Sequence, residues 1–380
     1  LSQEYVSTIS LRSFQLWEKL WDRRRPLSFD LEVTARCNHD CRHCYINLPA
    51  ADQEARAAEL SLGEISSIAG EAVSMGAVVC LLTGGEPLLR EDFREIYLAL
   101  KRLGLLVSVF TNASLITPEH VRLFKKFPPR VLEVSVYGVT QATYEAVTRR
   151  PGSFANFQRG LDLLLENGVP VRLKAMALRA NVHELPEIAR FCRARTRDYF
   201  RFDPLLHLRF DGDVARNAEI QAQRLSAEEI ATIEQADFER VQALEKGCDT
   251  LIGPHCSQAG CNHLFHCGAG RGSFAVSYHG LFRLCSSLWH PDCIYDLRRG
   301  SLEAAWEKLV PQVREFRSQN REFLEKCRAC PLINLCLWCP AHAHLETGSL
   351  DAWVEYFCQV AQARAQALGD PGLKKIVDLP

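Results

Sequence analysis

Two periods of apolar residues alternate along the first half of the chain. Short runs rich in Leu, Val and Phe have the length of strands. Between them, apolar residues recur three and four positions apart, as on one face of a helix. The runs predict strands over 27–34, 77–83, 105–110, 131–136, 171–178 and 199–206. The helical stretches open on recognisable caps. Ser61 with Glu64 reads as a capping box, and Thr117 precedes a first-turn proline, Pro118. Ser153 stands ahead of Phe154, Phe157, Leu161, Leu164 and Leu165, and Asn167-Gly168 closes that helix. Further helices are expected over about 91–103 and 184–195, and one after Ser226.

Six strand–helix alternations imply a parallel sheet with right-handed crossovers. Six units are too few to close an eight-fold barrel. The expected fold class is therefore α/β, a partial (β/α)6 TIM-like barrel. A helical arm is expected over 1–26, with Phe14, Trp17 and Trp21 at helical spacing, and the barrel over 27–245. From about Lys246 the periodicity gives way to short segments crowded with cysteine, glycine and histidine. That texture predicts a small irregular domain over 246–368, held by metal coordination more than by a core. A last helix is expected around 351–368, and a tail over 369–380.

Composition narrows the classes of function. Apolar residues make up 47% of 380, enough for a large core. With 45 basic and 46 acidic residues the net charge is −1. No basic field for nucleic acid and no polybasic membrane segment is present. No apolar run reaches the length of a membrane span, and no signal-peptide pattern opens the chain. The sixteen cysteines are clustered: three within 37–44, two in the middle, Cys80 and Cys192, and the rest from Cys248 onward. In a large, signal-free chain this reads as metal binding in a reducing cytoplasm.

The candidate chemistry begins where the first strand ends. Cys37, Cys41 and Cys44 have the spacing C-x3-C-x2-C. Three thiolates are one short of the set that usually holds a four-iron cluster, so one iron would stay open to another molecule. Gly84-Gly85-Glu86-Pro87, Asn112 and Tyr137 fall at the ends of the second, third and fourth strands. Parallel barrels build their sites on that face.

This cysteine loop, followed by Tyr45 and paired with Gly84-Gly85-Glu86-Pro87, resembles the radical S-adenosylmethionine (SAM) enzymes. The C-terminal half is similar to their SPASM extension: Cys267, Gly280, Cys285, then Cys327-x2-Cys330-x5-Cys336-x2-Cys339, then Cys358. It departs from the usual pattern by one residue between Cys336 and Cys339. The resemblance implies three [4Fe–4S] clusters. Cys37, Cys41 and Cys44 would hold the SAM-binding one. Cys261, Cys267, Cys285 and Cys339 would hold a first auxiliary cluster, with Cys256 as the rival of Cys261. Cys327, Cys330, Cys336 and Cys358 would hold a second. SAM would lie against Gly84, Gly85, Glu86 and Pro87, with Ser135, Asn112 and Lys174 as further contacts and Glu86 orienting the turn. Arg149 and Arg150 read as surface arginines or as partners for a carboxylate. A mixed Cys/His zinc site is the alternative for the region holding His255, His263, His266, His279 and His290.

The implied activity is reductive cleavage of SAM to methionine and a 5′-deoxyadenosyl radical, which abstracts hydrogen from a substrate. No catalytic base or hydrogen donor is assigned. The expected substrate is a ribosomally made peptide, which would be crosslinked, given a thioether or oxidised. Ser286 stands where sulfatase-maturating members carry an aspartate base, which argues against that reaction. No leader-binding domain is seen ahead of the barrel, so a separate leader-binding protein or direct docking is expected. Reduced flavodoxin or ferredoxin would donate the electron. The alternatives are the same chemistry on a small molecule in cofactor or haem biosynthesis, and a non-catalytic iron–sulfur electron carrier. A carrier has no need of an open iron.

Overall fold

Strand β1 (Ser28–Thr34) lies inside a nine-stranded sheet in this computed structural model, which describes residues 24–196, 200–251, 261–336 and 338–369. On one side of it, in chain order and all parallel, come β2 (Val79–Gly84), β3 (Leu106–Thr111), β4 (Val131–Ser135), β5 (Arg172–Met176) and β6 (Arg201–Asp203). Among the described residues β6 pairs only with β5, so the barrel is open, as six units require. The expected arm before Arg24, Tyr199 of the sixth strand, and the tail from Asp370 lie outside the described residues.

The other edge of β1 is not free. β7 (Ser273–Val276) pairs with it in parallel, Ser28 opposite Ser273 and Leu31 opposite Val276. β8 (Leu281–Arg283) and β9 (Ile294–Asp296) follow antiparallel. The cysteine-rich region thus extends the barrel's own sheet, across the limit expected at 246. An unpaired edge on a strand buried on both faces would leave backbone groups unsatisfied, and β7 supplies their partners.

The two faces of the sheet differ in polarity. Cys80, Leu82, Val107, Val109, Leu132, Val134, Leu173 and Ala175 are buried in the core. Cys80 and Cys192 are core residues, as expected. The alternate positions carry Asp30, Glu32, Ser108, Glu133, Ser135 and Lys174. Two of the three carboxylates, Glu32 and Glu133, are paired. Lys174 Nζ lies 3.3 Å from Glu133. Arg283 of β8 donates to Glu32 at 2.7 Å with both side chains buried.

The helices are α1 (Leu62–Met75), α2 (Phe93–Arg102), α3 (Pro118–Lys126), α4 (Gln141–Thr148), α5 (Ser153–Glu166), α6 (Leu185–Arg195), α7 (Val214–Ala222), α8 (Ala227–Gln235), α9 (Phe238–Leu251), α10 (Pro340–Thr347) and α11 (Glu355–Ala367), with shorter turns between. The boxes at Ser61 and Ser226 form, and Thr117 forms one with His120 as the reciprocal partner. Ser153 is not a cap. Gly152, at φ 79°, takes that place, and Ser153 Oγ instead lies 2.7 Å from Thr148 Oγ1. Helices α4, α7, α9 and α10 were not expected. The Asp211-Gly212-Asp213 turn leads into α7, because Asp213 accepts from the Arg216 N–H at 3.0 Å and so caps it.

One helix contact positions the site directly. Gly160 of α5 passes against the turn after β3, where a Cβ would stand 1.9 Å from the Ala113 carbonyl oxygen. Next to it, Arg159 donates to the carbonyls of Ser114 at 2.8 Å and Ile116 at 3.1 Å. Gly160→Ala should therefore destabilise the protein, although alanine gains about 1 kcal/mol over glycine in an ordinary helix interior. Thermal unfolding of the two proteins checks the sign. An unchanged or raised midpoint would contradict the close packing.

A candidate active chamber at the strand C-termini

The exits of β1 and β2 touch. The Gly85 N–H donates to the Thr34 carbonyl at 2.7 Å and the Glu86 N–H to the Arg36 carbonyl at 2.9 Å. Side chains cannot enter this contact. A Cβ on Gly84 (φ 136°) would lie 2.1 Å from the Thr34 oxygen, and one on Gly85 2.3 Å from the Arg36 oxygen. The glycine pair is thus required by backbone meeting backbone.

Glu86, fully buried, ties the next strand into the same place. It accepts from the Leu88 N–H at 3.0 Å, the Thr111 hydroxyl at 2.8 Å and the Asn112 N–H at 2.7 Å. Burial raises its carboxyl to about 7 against these three donors. Asn112 in turn donates to Asn38 Oδ1 at 2.9 Å and lies 3.9 Å from Cys37 Sγ, while Asn38 donates to Ser114 Oγ at 2.7 Å. The cysteine loop is therefore fastened to the ends of β2 and β3.

Its far side docks on the C-terminus of α4. The Asp40 and Arg42 N–H groups donate to the Thr148 and Val147 carbonyls at 3.0 and 3.1 Å, and Arg42 Nε to the Ala146 carbonyl at 2.9 Å. These are orphan acceptors of a helix end.

The three thiols face one another in this setting. Burial raises Cys37, Cys41 and Cys44. Cys41 is raised further by Cys44 and Cys37, and Cys37 by Glu86 and then Cys44. Thiols so placed become thiolates only against a positive centre. The donor set and the glycine cradle beside it fit a cluster held by three cysteines.

The chamber they open into measures about 570 Å³. It is lined from strand ends in turn: Thr83 to Gly85, Phe110 to Asn112, Ser135 and Tyr137, Lys174 to Met176, and Asp203 to His207. Of the residues expected to contact SAM, Gly84, Gly85, Asn112, Ser135 and Lys174 line it. Glu86 and Pro87 are buried behind the wall. His39 and His43, in the cysteine loop, also line it.

The auxiliary region closes the opposite wall. Cys339 and His342 line the same chamber, and the His342 ring stacks on His207 with centroids 3.8 Å apart. Cys339 is pushed up to about 12 by burial, then by Cys285 and Cys267. Cys285 is likewise raised by Cys267, so the three thiols act on one another electrostatically. Cys261 Sγ lies 3.6 Å from His263 Nδ1 and 3.9 Å from His266 Nε2. Its rival Cys256 and His255 fall outside the described residues. The thiols of the second set act on one another electrostatically. Burial raises Cys327, Cys330 and Cys336, with Cys330 and Cys358 raising Cys327, Cys358 raising Cys330, and Cys358, Cys327 and Cys330 raising Cys336. Cys293, assigned to no set, is raised by burial, then by Asp292 and Cys285. Among the described residues no three His, Cys, Asp or Glu side chains converge tightly enough for a single metal ion.

The sequence model of the radical SAM superfamily matches residues 31–192, from within β1 to within α6. Residues 31–192 are a radical SAM domain. The chain is an enzyme carrying that domain, and its cysteine-rich region lies beyond the matched residues. It is 27% identical to the AdoMet-dependent heme synthase of Methanosarcina barkeri over 83% of this chain and 92% of that protein. It is 25% identical to the antilisterial bacteriocin subtilosin biosynthesis protein AlbA of Bacillus subtilis, over 83% of this chain and 67% of that one. In fold it resembles Streptococcus suis SuiB bound to precursor peptide SuiA, with a TM-score of 0.66 and 17% identity over 94% of this chain and 84% of that one. Native anSMEcpe with bound AdoMet gives a TM-score of 0.65 and 13% identity over 93% of this chain and 99% of that one.

In this radical SAM domain Gly85→Ala should push the exit of β2 off the cysteine loop. A loss of SAM affinity of at least tenfold, about 1.4 kcal/mol, is expected. Titrating SAM into the reconstituted protein by equilibrium dialysis measures it, and unchanged affinity would contradict the close contact.

Proposed function

We propose that this enzyme cleaves SAM reductively and abstracts hydrogen from a side chain of a ribosomally made peptide. The observation that carries the reading is the shared chamber, with Cys37, Cys41, Cys44 and the Gly84-Gly85 edge on one wall and Cys339 on the other. Cys37, Cys41 and Cys44 would hold the SAM-binding cluster. Cys267, Cys285 and Cys339, with Cys261 as fourth, and Cys327, Cys330, Cys336 and Cys358 would hold two more. When bound, a [4Fe–4S] cluster at the first site supplies the electron that breaks a C–S bond of SAM.

The chain's own residues do the rest. The Gly84-Gly85 backbone offers close approach to the methionine end of SAM, with Asn112, Ser135 and Lys174 around it. Phe110, Tyr137, Met176, Leu205 and Leu206 line the chamber. They limit water, which would otherwise quench selective radical chemistry. Reduced flavodoxin or ferredoxin would be the electron donor, and a separate leader-binding protein a partner. No helix among the described residues is long and apolar enough to cross a membrane.

Size favours a side chain over a macrocycle. A chamber of about 570 Å³ falls in the range that one drug-sized ligand fills. SAM is itself such a ligand, and the space left suits one peptide side chain. The peptide named with SuiB and the bacteriocin named with AlbA point the same way. The heme synthase relatives, matched along most of their length, support a second reading, a tetrapyrrole substrate.

Anaerobic reconstitution should load roughly twelve irons per chain, as three cubane clusters need. Dithionite and SAM should then yield 5′-deoxyadenosine. Cys37→Ala/Cys41→Ala/Cys44→Ala should keep about two thirds of the iron, from the two four-cysteine sites, and yield none. Four irons or fewer, with zinc bound, would contradict the assignment. A precursor peptide encoded beside this chain should lose hydrogen in mass spectrometry. Turnover of iron-coproporphyrin alone would decide for the tetrapyrrole.

A further inference from the structure

The segment leaving β6 carries arginines that the SAM chemistry leaves unexplained. Arg209, its side chain 3% exposed, spends Nε and Nη2 on Asp211 and turns Nη1 to the cysteine loop. There it meets the carbonyls of Cys44 at 3.4 Å and Asn47 at 3.1 Å, and Asn47 Oδ1 at 3.2 Å. Arg216, one turn into α7, donates from Nη2 to the Cys41 carbonyl at 3.2 Å and to Asn47 Oδ1 at 3.1 Å. Its Nη1 lies 3.0 Å from Asp40 and 3.2 Å from Glu219. Arg149, at the left-handed C-cap of α4 (φ 53°), reaches the same loop. It donates to the Asp40 carbonyl at 2.9 Å, and its other nitrogens pair with Asp40 and Glu219 at 2.6 Å each.

Three guanidiniums, none of which lines the chamber, thus grip the carbonyls of Asp40, Cys41, Cys44 and Asn47. Asp40 and Glu219 bind Arg149 and Arg216 to each other. Surface ion pairs are worth little, but these are not isolated pairs. Each fork bridges backbone and carboxylate at once, a geometry lysine cannot copy. Each carbonyl drawn outward turns a negative dipole away from the thiols. Asp40, Asp211 and Glu219 balance the three guanidiniums in number, but it is guanidinium nitrogens that bond the loop's backbone, and positive groups held there favour a negatively charged centre on the loop.

We infer that Arg149, Arg209 and Arg216 are positioning residues for the cluster held by Cys37, Cys41 and Cys44, fixing the loop and raising the reduction potential of what it binds. The inference rests on the reading of those cysteines as cluster ligands. Partners that orient ligands of a metal site are worth about 10–100-fold in metal affinity or activity, and charge and hydrogen bonds near a cluster set its potential.

Arg216 gives the cleanest test, since its side chain is 18% exposed and its loss leaves no fully buried carboxylate. The full chain is reconstituted anaerobically as wild type, Arg216→Gln, Arg216→Lys and Cys41→Ala. The electron paramagnetic resonance signal that changes with SAM and is missing in Cys41→Ala belongs to the loop's cluster. In Arg216→Gln its midpoint should move to a more negative potential, and chelator should remove its iron about tenfold faster. The remaining signals should stay as in wild type. Arg216→Lys should restore the potential, which follows charge, but not the iron retention, which needs the fork. Arg216→Gln matching wild type in both measures would overturn the inference, as would an equal loss of every signal. A wild-type chain with no SAM-responsive signal would instead overturn the functional reading beneath it.

Discussion

The contact of two strand exits, β1 and β2, is the constraint on which the site depends. Gly84 and Gly85 lie against the carbonyls of Thr34, Ala35 and Arg36 at distances no Cβ could share. That contact sets where the cysteine loop begins. Glu86 then carries the placement to β3 through the Asn112 N–H, and Asn112 returns it to Asn38 within the loop. Three strand ends and one loop form a closed circuit of hydrogen bonds, almost all buried. Changing one member moves the others, because each bond's donor and acceptor belong to different elements.

The same circuit explains how the two halves of the chain work as one structure. β7 completes the edge of β1, and the Arg283–Glu32 pair crosses from β8 to β1 in the buried interior. Breaking one side of such a pair strands a buried charge. The auxiliary region is therefore fixed to the strand that leads into the cysteine loop. Its own thiol, Cys339, reaches the shared chamber, beside the His207–His342 stack. A substrate held there would lie between two walls that carry cysteine thiols. That placement suits chemistry in which hydrogen abstraction and electron removal follow one another.

Much of this was legible in the sequence, and the reason is physical. Strand runs and caps are local, so Ser61, Thr117 and Ser226 announced their helices, and the strand order followed from alternation. The meeting of the cysteine loop with the glycine pair was legible because three cysteines and two glycines are residue types that few other constraints would place together. What was not legible came from contacts distant in sequence. β7 is four residues among glycines, and only β1's free edge makes it a strand. Glu86 belonged to the expected SAM contacts, yet its partners, Thr111 and Asn112, turn it into a brace behind the wall. Helix α7 lies in a polar stretch with no apolar period to announce it. Arg216 bonds the cysteine loop, and Ile220 is the helix's one buried side chain, so no apolar stripe marked it in the sequence. Ser153 misled because Gly152 could take the left-handed cap while serine bonded sideways to Thr148.

Mössbauer spectroscopy of the full chain reconstituted with ⁵⁷Fe, recorded with and without SAM, tests the open-site reading most directly. One cubane of three should change its spectrum when SAM binds, as a site with an open iron must, while the two closed by four cysteines stay unchanged. Spectra indifferent to SAM in every cluster, or iron replaced by zinc at the cysteine loop, would contradict it.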